Sequence, residues 1–510
     1  MRRGAKLLVG GGLVLAGVGV VLLLVDVSVA AWLRRISIGR DTTDLVAPID
    51  GHGGVDFIRA INVRYSKGVT PRNNAAVMFL HSAGDVCLGP ASVRPRILGL
   101  LGMPPHLVVQ NRFRRLLQFQ GSGRLPFKDS ESGTRWEAVY RQIRQSPWTK
   151  QQHPERAEWI RLNHIAFARA IQASHYRRLF VPLVRLPAAS PLAKIGYAEE
   201  VKFARGFREV YEAVIISGMH SLADGHVGDA ERKIISAHRA ARLLGQLPFL
   251  WSRRIGLSLG MMACEADKAV ATSSNLTGVH ASRYLRQLKA IGPPPQPFSA
   301  VGIAERYETI NEIMFYAQHP IRASEALGLP GWAGLLQVLN YNGTLVGCNR
   351  WFDKAQQAYE ASPYLHRLQL LENIDRADGS CSCSERPWST FWHRKRFFAS
   401  LRPENTAMEA FEYQASLACW SLDITAFSLA AYHASQGVFP RKLGRLVPGF
   451  ISKLPSDPFT HGPLTYRKTP TGYQLRCKLP VGFKPDEAEN PSVRSLPREF
   501  YIRYGTAPRR

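Results

Sequence analysis

The sequence predicts a mainly α-helical protein. One N-terminal transmembrane helix leads into an irregular α-helical body, and a small C-terminal α+β domain follows, with one long helix on an antiparallel sheet. Three observations predict this. Residues 7–25 (LLVGGGLVLAGVGVVLLLV) form an apolar stretch without a charge. From about Pro48 to Pro403, apolar residues recur at helical spacing between Pro and Gly breaks. Beyond residue 460 the period shortens to strict alternation, the pattern of a strand with one buried face. The 510 residues, 45% hydrophobic and 10% aromatic, can fill real cores, which excludes a chain dominated by disorder. Seven cysteines are too few for a disulfide scaffold of this length. A mean hydropathy of −0.14 and a single membrane-length apolar run exclude a polytopic transporter.

Residues 1–6 read as a cytoplasmic basic flank and residues 7–25 as the anchor, with Leu7, Leu13, Val20, Leu24 and Val25 in the hydrocarbon. A helix of that length spans roughly 28 Å, close to a bilayer core of about 30 Å. Arg2, Arg3 and Lys6 precede it, so the positive-inside rule places the N-terminus in the cytoplasm. The body is then periplasmic, held at the inner membrane by one pass. Arg34, Arg35 and Arg40 oppose this bias, and Asp26, Asp41 and Asp44 offset them in part. Cleavage after Ser28-Val29-Ala30 is the competing reading, but the apolar run exceeds the usual secretory length of about 7 to 15 residues. Gly12 and Ala16 form a small-xxx-small pair on which two anchors can pack. Residues 26–47 read as a linker.

The first part of the body spans 48–291. Pro154 opens a helix with Ile160, His164, Phe167 and Ile171 on one face. Residues 197–222 and 230–244 read as two helices joined by a Gly-containing turn, the second striped by Ile234, Ala237, Ala241 and Leu244. This hairpin resembles a tetratricopeptide-type unit, although no fixed repeat period recurs. The run Gly292-Pro293-Pro294-Pro295-Gln296-Pro297 cannot be helical, so 292–298 is a break. A second part, 299–402, restarts near Ile303. The module spans 403–480: a helix capped by Asn405 or Thr406, a stop at Gly437, and two strands, Leu464 to Lys468 and Tyr473 to Leu479, joined by a Pro470–Gly472 turn. Residues 481–510 read as a polar tail.

The module carries a resemblance. Leu429-Ala430-Ala431-Tyr432, Gly437-Val438-Phe439-Pro440, Leu446-Val447-Pro448, Leu454-Pro455-Ser456-Asp457-Pro458-Phe459, Pro463-Leu464-Thr465-Tyr466 and Gly472-Tyr473 occur in the order seen in type II secretion pseudopilin globular domains. The resemblance implies one long helix packed on a small sheet. The leader and early glutamate of pseudopilins, and the acidic calcium loop of the major one, have no counterpart here. Over its whole length the chain is similar to large uncharacterised single-pass bacterial membrane proteins. That similarity rests on Gly68 to Ala76, Ala237 to Gln246 and Ala263-Cys264-Glu265-Ala266-Asp267. It implies an architecture and no activity.

Few residues suggest chemistry. Gly256-Leu257-Ser258-Leu259-Gly260 matches G-x-S-x-G, which makes Ser258 a candidate nucleophile. A nucleophile elbow needs an apolar strand feeding the serine. Here Ser252-Arg253-Arg254 precedes it and Ile255, Leu259, Met262 and Ala266 continue a helical stripe, so tight helix packing is the alternative. His220, Asp224 and His226 are candidate metal ligands without a third partner at useful spacing. Cys381 and Cys383 sit in a polar loop as a disulfide or as two thiols, and an odd cysteine total leaves one thiol unpaired. His164 reads as a core histidine. No nucleotide loop or cofactor motif occurs, so no cofactor is expected. The 66 basic residues against 39 acidic ones give a net charge of +27, scattered along the chain, so nucleic acid is not an expected partner. The expected partners are the lipid bilayer through 7–25, other proteins, and anionic envelope polymers. The expectation is an exported scaffold or interaction protein with no assigned reaction. An accessory part of a type II secretion-like machine and a tethered hydrolase using Ser258 or His220/His226 are the alternatives.

Overall fold

The computed structural model describes residues 35–51, 53–116, 139–185, 197–319, 321–322, 340–379, 406–478 and 501–504. The chain is mainly helical with a small antiparallel sheet. The expected anchor at 7–25 lies outside the described residues. Among those described, no helix is long and apolar enough to cross a membrane.

Ahead of the central layer lie short helices α1 (Arg40–Thr43), α2 (Phe57–Tyr65), α3 (Ala75–Ala83), α4 (Arg94–Leu100), α5 (Pro154–Leu162) and α6 (His164–Ala173). Their starts follow simple rules. Asp56 and Asn74 accept hydrogen bonds from the backbone N–H of Arg59 and Ala76, capping α2 and α3, and Pro154 sits at the first position of α5. Residues 35–47, expected as a linker, pack on the body instead. Asn342 binds backbone at the start of this segment, accepting from Ser37 N–H at 3.0 Å and donating to Arg35 C=O at 2.8 Å. Asn349 donates to the carbonyls of Asp41 and Thr42.

The centre is three consecutive helices: α7 (Tyr197–Ala223), α8 (Val227–Leu244) and α9 (Leu250–Ala271). Each packs on the other two. Gly225, at φ +79°, makes the first turn in the left-handed region that glycine tolerates. Helix α10 (Gly278–Ile291) follows, capped by Thr277, and the chain bends at Gly292. The expected break between two parts is local, since one contiguous apolar core runs through both. Beyond it, Phe298 stacks on Tyr359 at 4.1 Å. Helices α11 (Arg306–Gln318), α12 (Tyr341–Glu360) and α13 (Tyr364–Gly379) complete the body.

Helix α14 (Thr406–Gln436) is buried round most of its circumference against α9, α10 and α13. It also meets the sheet of β1 (Thr465–Thr469), β2 (Gly472–Arg476) and β3 (Tyr501–Tyr504), all antiparallel in that order. Tyr473, Leu475 and Cys477 point inward, joined by Ile502. Within the expected polar tail over 481–510 a third strand forms: Ile502 pairs with Leu475 and Tyr504 with Tyr473. Asp457 locks the loop before the sheet. It is fully buried, accepts from Phe459 N–H at 2.9 Å and from Lys478 N–H at 2.6 Å, and so ties the loop to the end of β2.

Ser258 lies in the middle of α9, half-buried, with helix on both sides. No strand feeds it, so the elbow that would expose its hydroxyl is not formed. The glycines around it serve packing. A Cβ at Gly256 would come within 2.9 Å of both the Ala241 carbonyl oxygen and Leu244 Cβ on α8, whereas one at Gly260 would stand 3.6 Å from Ala241 Cβ. Gly256→Ala should therefore destabilise by about 1–3 kcal/mol, because the backbone it meets cannot step aside. Gly260→Ala should be neutral or stabilising by up to about 1 kcal/mol, the helix-propensity gain. Chemical denaturation of the pair checks this contrast, and equal effects would refute it.

Candidate functional site: two polar centres between α9 and α14

Polar residues converge at two levels where α9 packs on α14. At the first, Arg254 forks onto Glu412, its Nε and Nη2 donating to the two carboxylate oxygens at 2.7 and 2.8 Å. Its Nη1 reaches Glu409 at 3.4 Å, and Tyr359 of α12 donates its hydroxyl to the other Glu409 oxygen at 2.6 Å. The guanidinium also lies 4.8 Å from the Trp251 ring. Next to it Arg253 is spent on structure: it donates to the carbonyls of Leu247 and Pro297 and to Ser299 and Tyr65. Glu200 of α7 accepts from Phe249 N–H at 3.3 Å.

Burial dominates the acid–base properties here. Desolvation pushes the carboxyls of Glu200 and Glu409 up to about 8, against the pull of Arg253 and Arg254. The charge of Arg254 is instead held firmly by Glu412 and Glu409, whose hydrogen bond and field outweigh the desolvation.

The second level is more deeply apolar. His238 of α8, Cys264 and Asp267 of α9, Tyr284 of α10, and Cys419 and Asp423 of α14 meet out of contact with water. His238 Nε2 lies 2.9 Å from Asp267 Oδ2, and Tyr284 donates its hydroxyl to Asp267 Oδ1. A carboxylate accepting on both oxygens places the imidazole proton on Nε2 and leaves a lone pair on Nδ1. That Nδ1 has no hydrogen-bond partner, nor has Asp423 Oδ2. Donor atoms of His238, Cys264 and Asp423 all lie within 4.8 Å of one another. The Cys264 thiol sits beside Asp423 and faces Cys419. Desolvation first, then the neighbouring Asp267, raises the Asp423 carboxyl well above the usual range. The Trp420 ring closes one side, 6.0 Å from the His238 ring and 4.9 Å from the Arg242 guanidinium.

The residues singled out from sequence do not converge on these centres. His220 stacks on Trp148 at 4.6 Å and its Nε2 stands 3.6 Å from Asp224, while Asp224 and His226 are exposed at the α7–α8 turn. His226 flanks the start of α8 rather than facing a ligand set. His164 is exposed and bonded to its own helix entry at Arg161 C=O, not in the core. Cys381 and Cys383 lie outside the described residues. The second centre escaped notice because its members are scattered from 238 to 423. The available clue was Cys-x-x-Asp at 264–267 and Cys-x-x-x-Asp at 419–423, each placing a thiol and a carboxyl on one face of an apolar helix.

Comparison with protein-family models, with curated proteins and with solved structures gave no match.

The first centre makes a pH-dependent contribution to stability. In the unfolded chain Glu200 and Glu409 ionise near about 4.3. Between that value and about 8 the folded state holds protons that the unfolded state has lost. Their contribution is thus complete below the unfolded value and drains away as pH rises through the folded one. Glu200→Gln keeps an acceptor for Phe249 N–H and cannot ionise, so it should flatten the loss of thermal stability between about pH 5 and about pH 8. A variant whose slope matches that of the parent would refute this.

Proposed function

We propose that the chain is a membrane-anchored helical scaffold of the bacterial envelope. In this reading residues 7–25 hold the inner membrane, and a rigid extracytoplasmic body docks on anionic envelope surfaces through its basic exterior. The supporting observation is the segregation of charge. Among the described residues, Glu199, Glu200, Glu212, Glu231, Asp267, Glu409, Glu412, Asp423 and Asp457 are buried, against Arg156, Arg253 and Arg306 among the lysines and arginines. Withdrawal of acids into the core leaves an exterior more cationic than the net +27 of the whole chain. Such a surface attracts anionic lipids and polymers at long range, in a salt-dependent way.

The strongly perturbed acids do not themselves call for a reaction. Shifted carboxyls commonly mark active sites, but here each is explained first by burial between packed helices. Two surface clefts, one bordered by Arg441, Pro455 and Tyr466 and one by Ile49, Arg64 and Tyr307, include none of them. The C-terminal module acts in this reading as part of the body, because a filament built on α14 would have to strip it from α9 and α10.

The full-length chain should stay with membranes through an alkaline carbonate wash, and a phosphatase fused to its C-terminus should be active only in the extracytoplasmic space. Reconstituted in neutral-lipid vesicles, it should capture a soluble polyanion at low salt and release it as salt rises, since Debye screening shortens to about 3 Å at 1 M. Extraction by carbonate would overturn the anchor, and polyanion binding insensitive to salt would overturn the docking surface.

A further inference from the structure

We propose that the second buried centre is a zinc site, with His238, Cys264 and Asp423 as ligands and Cys419 at the fourth position. The donor set is the mixed nitrogen, sulfur and oxygen set that zinc takes, and it comes from three helices rather than from one loop. A tetrahedral zinc ion with bonds of about 2.0–2.3 Å has ligand atoms roughly 3.5 Å apart. The donors of His238, Cys264 and Asp423 already lie within 4.8 Å of one another, so they need draw together by only about 1 Å to close on an ion.

Two atoms carry the argument. His238 Nδ1 is fully buried with no hydrogen-bond partner, and Asp423 Oδ2 is buried and equally unmatched. A buried polar atom without a partner costs about 1–3 kcal/mol, and a cation that both groups can ligate would relieve that cost. The orientation of the ring fits as well. Asp267 holds His238 by Nε2, and Tyr284 holds Asp267, which is how an outer carboxylate fixes the tautomer of a metal-binding histidine. Cys419 lies one turn before Asp423 on the same face of α14 and faces Cys264. On binding, Cys264 and Cys419 give up their thiol protons and Asp423 its carboxyl proton to solvent as the metal bonds form. The site joins α8, α9 and α14, so its role is structural; with four protein ligands it keeps no open position for substrate.

The test uses the full-length protein purified in detergent without chelator. Elemental mass spectrometry should find about one zinc per chain, and cobalt substitution should give a thiolate-to-cobalt charge-transfer band with tetrahedral d–d absorption. Cys264→Ser and Asp423→Asn should lose the metal, while Cys87→Ser, a buried thiol elsewhere, should keep it. Asp267→Asn should weaken zinc affinity by about 10–100-fold in chelator competition, a loss that packing alone would not produce. If the ligand variants do not fold, alkylation of the parent protein decides: bound zinc should protect Cys264 and Cys419, and chelation should expose them. Zinc at background in the parent with no cobalt–thiolate band overturns the proposal. So does full zinc retention in folded Cys264→Ser and Asp423→Asn, which would mark metal held elsewhere.

Discussion

Helices α9 and α14 carry polar groups that meet in the seam between them, and this constraint sets the arrangement of everything around them. Arg254 faces Glu409 and Glu412, and Cys264 faces Cys419 and Asp423. The two levels are ten and eleven residues apart on the respective helices, about 15 Å along each axis, so α9 and α14 run in the same direction in a single register. A slip of one turn, about 5.4 Å, would strand Arg254 in an apolar setting. A buried charge without its partner costs about 3–5 kcal/mol, far more than the variation in apolar contact between registers. With that pair fixed, α8 comes down on α9 at Gly256, and α10 comes against α14 where Gly278 meets Ala434. Tyr359 then brings α12 to Glu409.

The helical body was legible because its periodicity is local. The stripe Ile234, Ala237, Ala241 and Leu244 is buried on α8, and the proline run at 292–298 does interrupt the helices. The small-residue character of 256–260 likewise pointed to a tight contact, and that contact is where the structure places it. What could not be read is the meeting of distant positions. His238 sits beside Ala237 on the buried face of α8, and nothing adjacent in sequence announces that its partner is Asp267 or that Asp423 approaches from the far side. The strand Tyr501–Tyr504 is hard to read for a related reason: four residues without a clean alternation carry too little pattern to stand apart from a tail. His220 and His226 drew attention because they are close in sequence, yet one packs on Trp148 and the other faces solvent.

The C-terminal module shows how a recognisable run of motifs can be put to local use. Asp457 within Leu454-Pro455-Ser456-Asp457-Pro458-Phe459 acts as a clasp, and Gln414 of α14 donates to the Pro458 carbonyl beside it. Phe459 packs on Phe411 of α14 and on Tyr364 of α13, so the motif binds sheet, module helix and body together. Module and body share one apolar core, and a boundary drawn at residue 403 marks a change of pattern along the chain rather than a seam in the packing.

The order of strands in the sheet bears on biosynthesis. Strand β2 pairs with β1 through a tight turn, and among the described residues its other edge is covered by Tyr501–Tyr504. During translation that edge, with Tyr473 and Leu475 along it, stays open while more than twenty further residues are made. An uncovered strand edge is a template for pairing with another chain. Copies that stop short of position 501 are therefore the species most exposed to self-association.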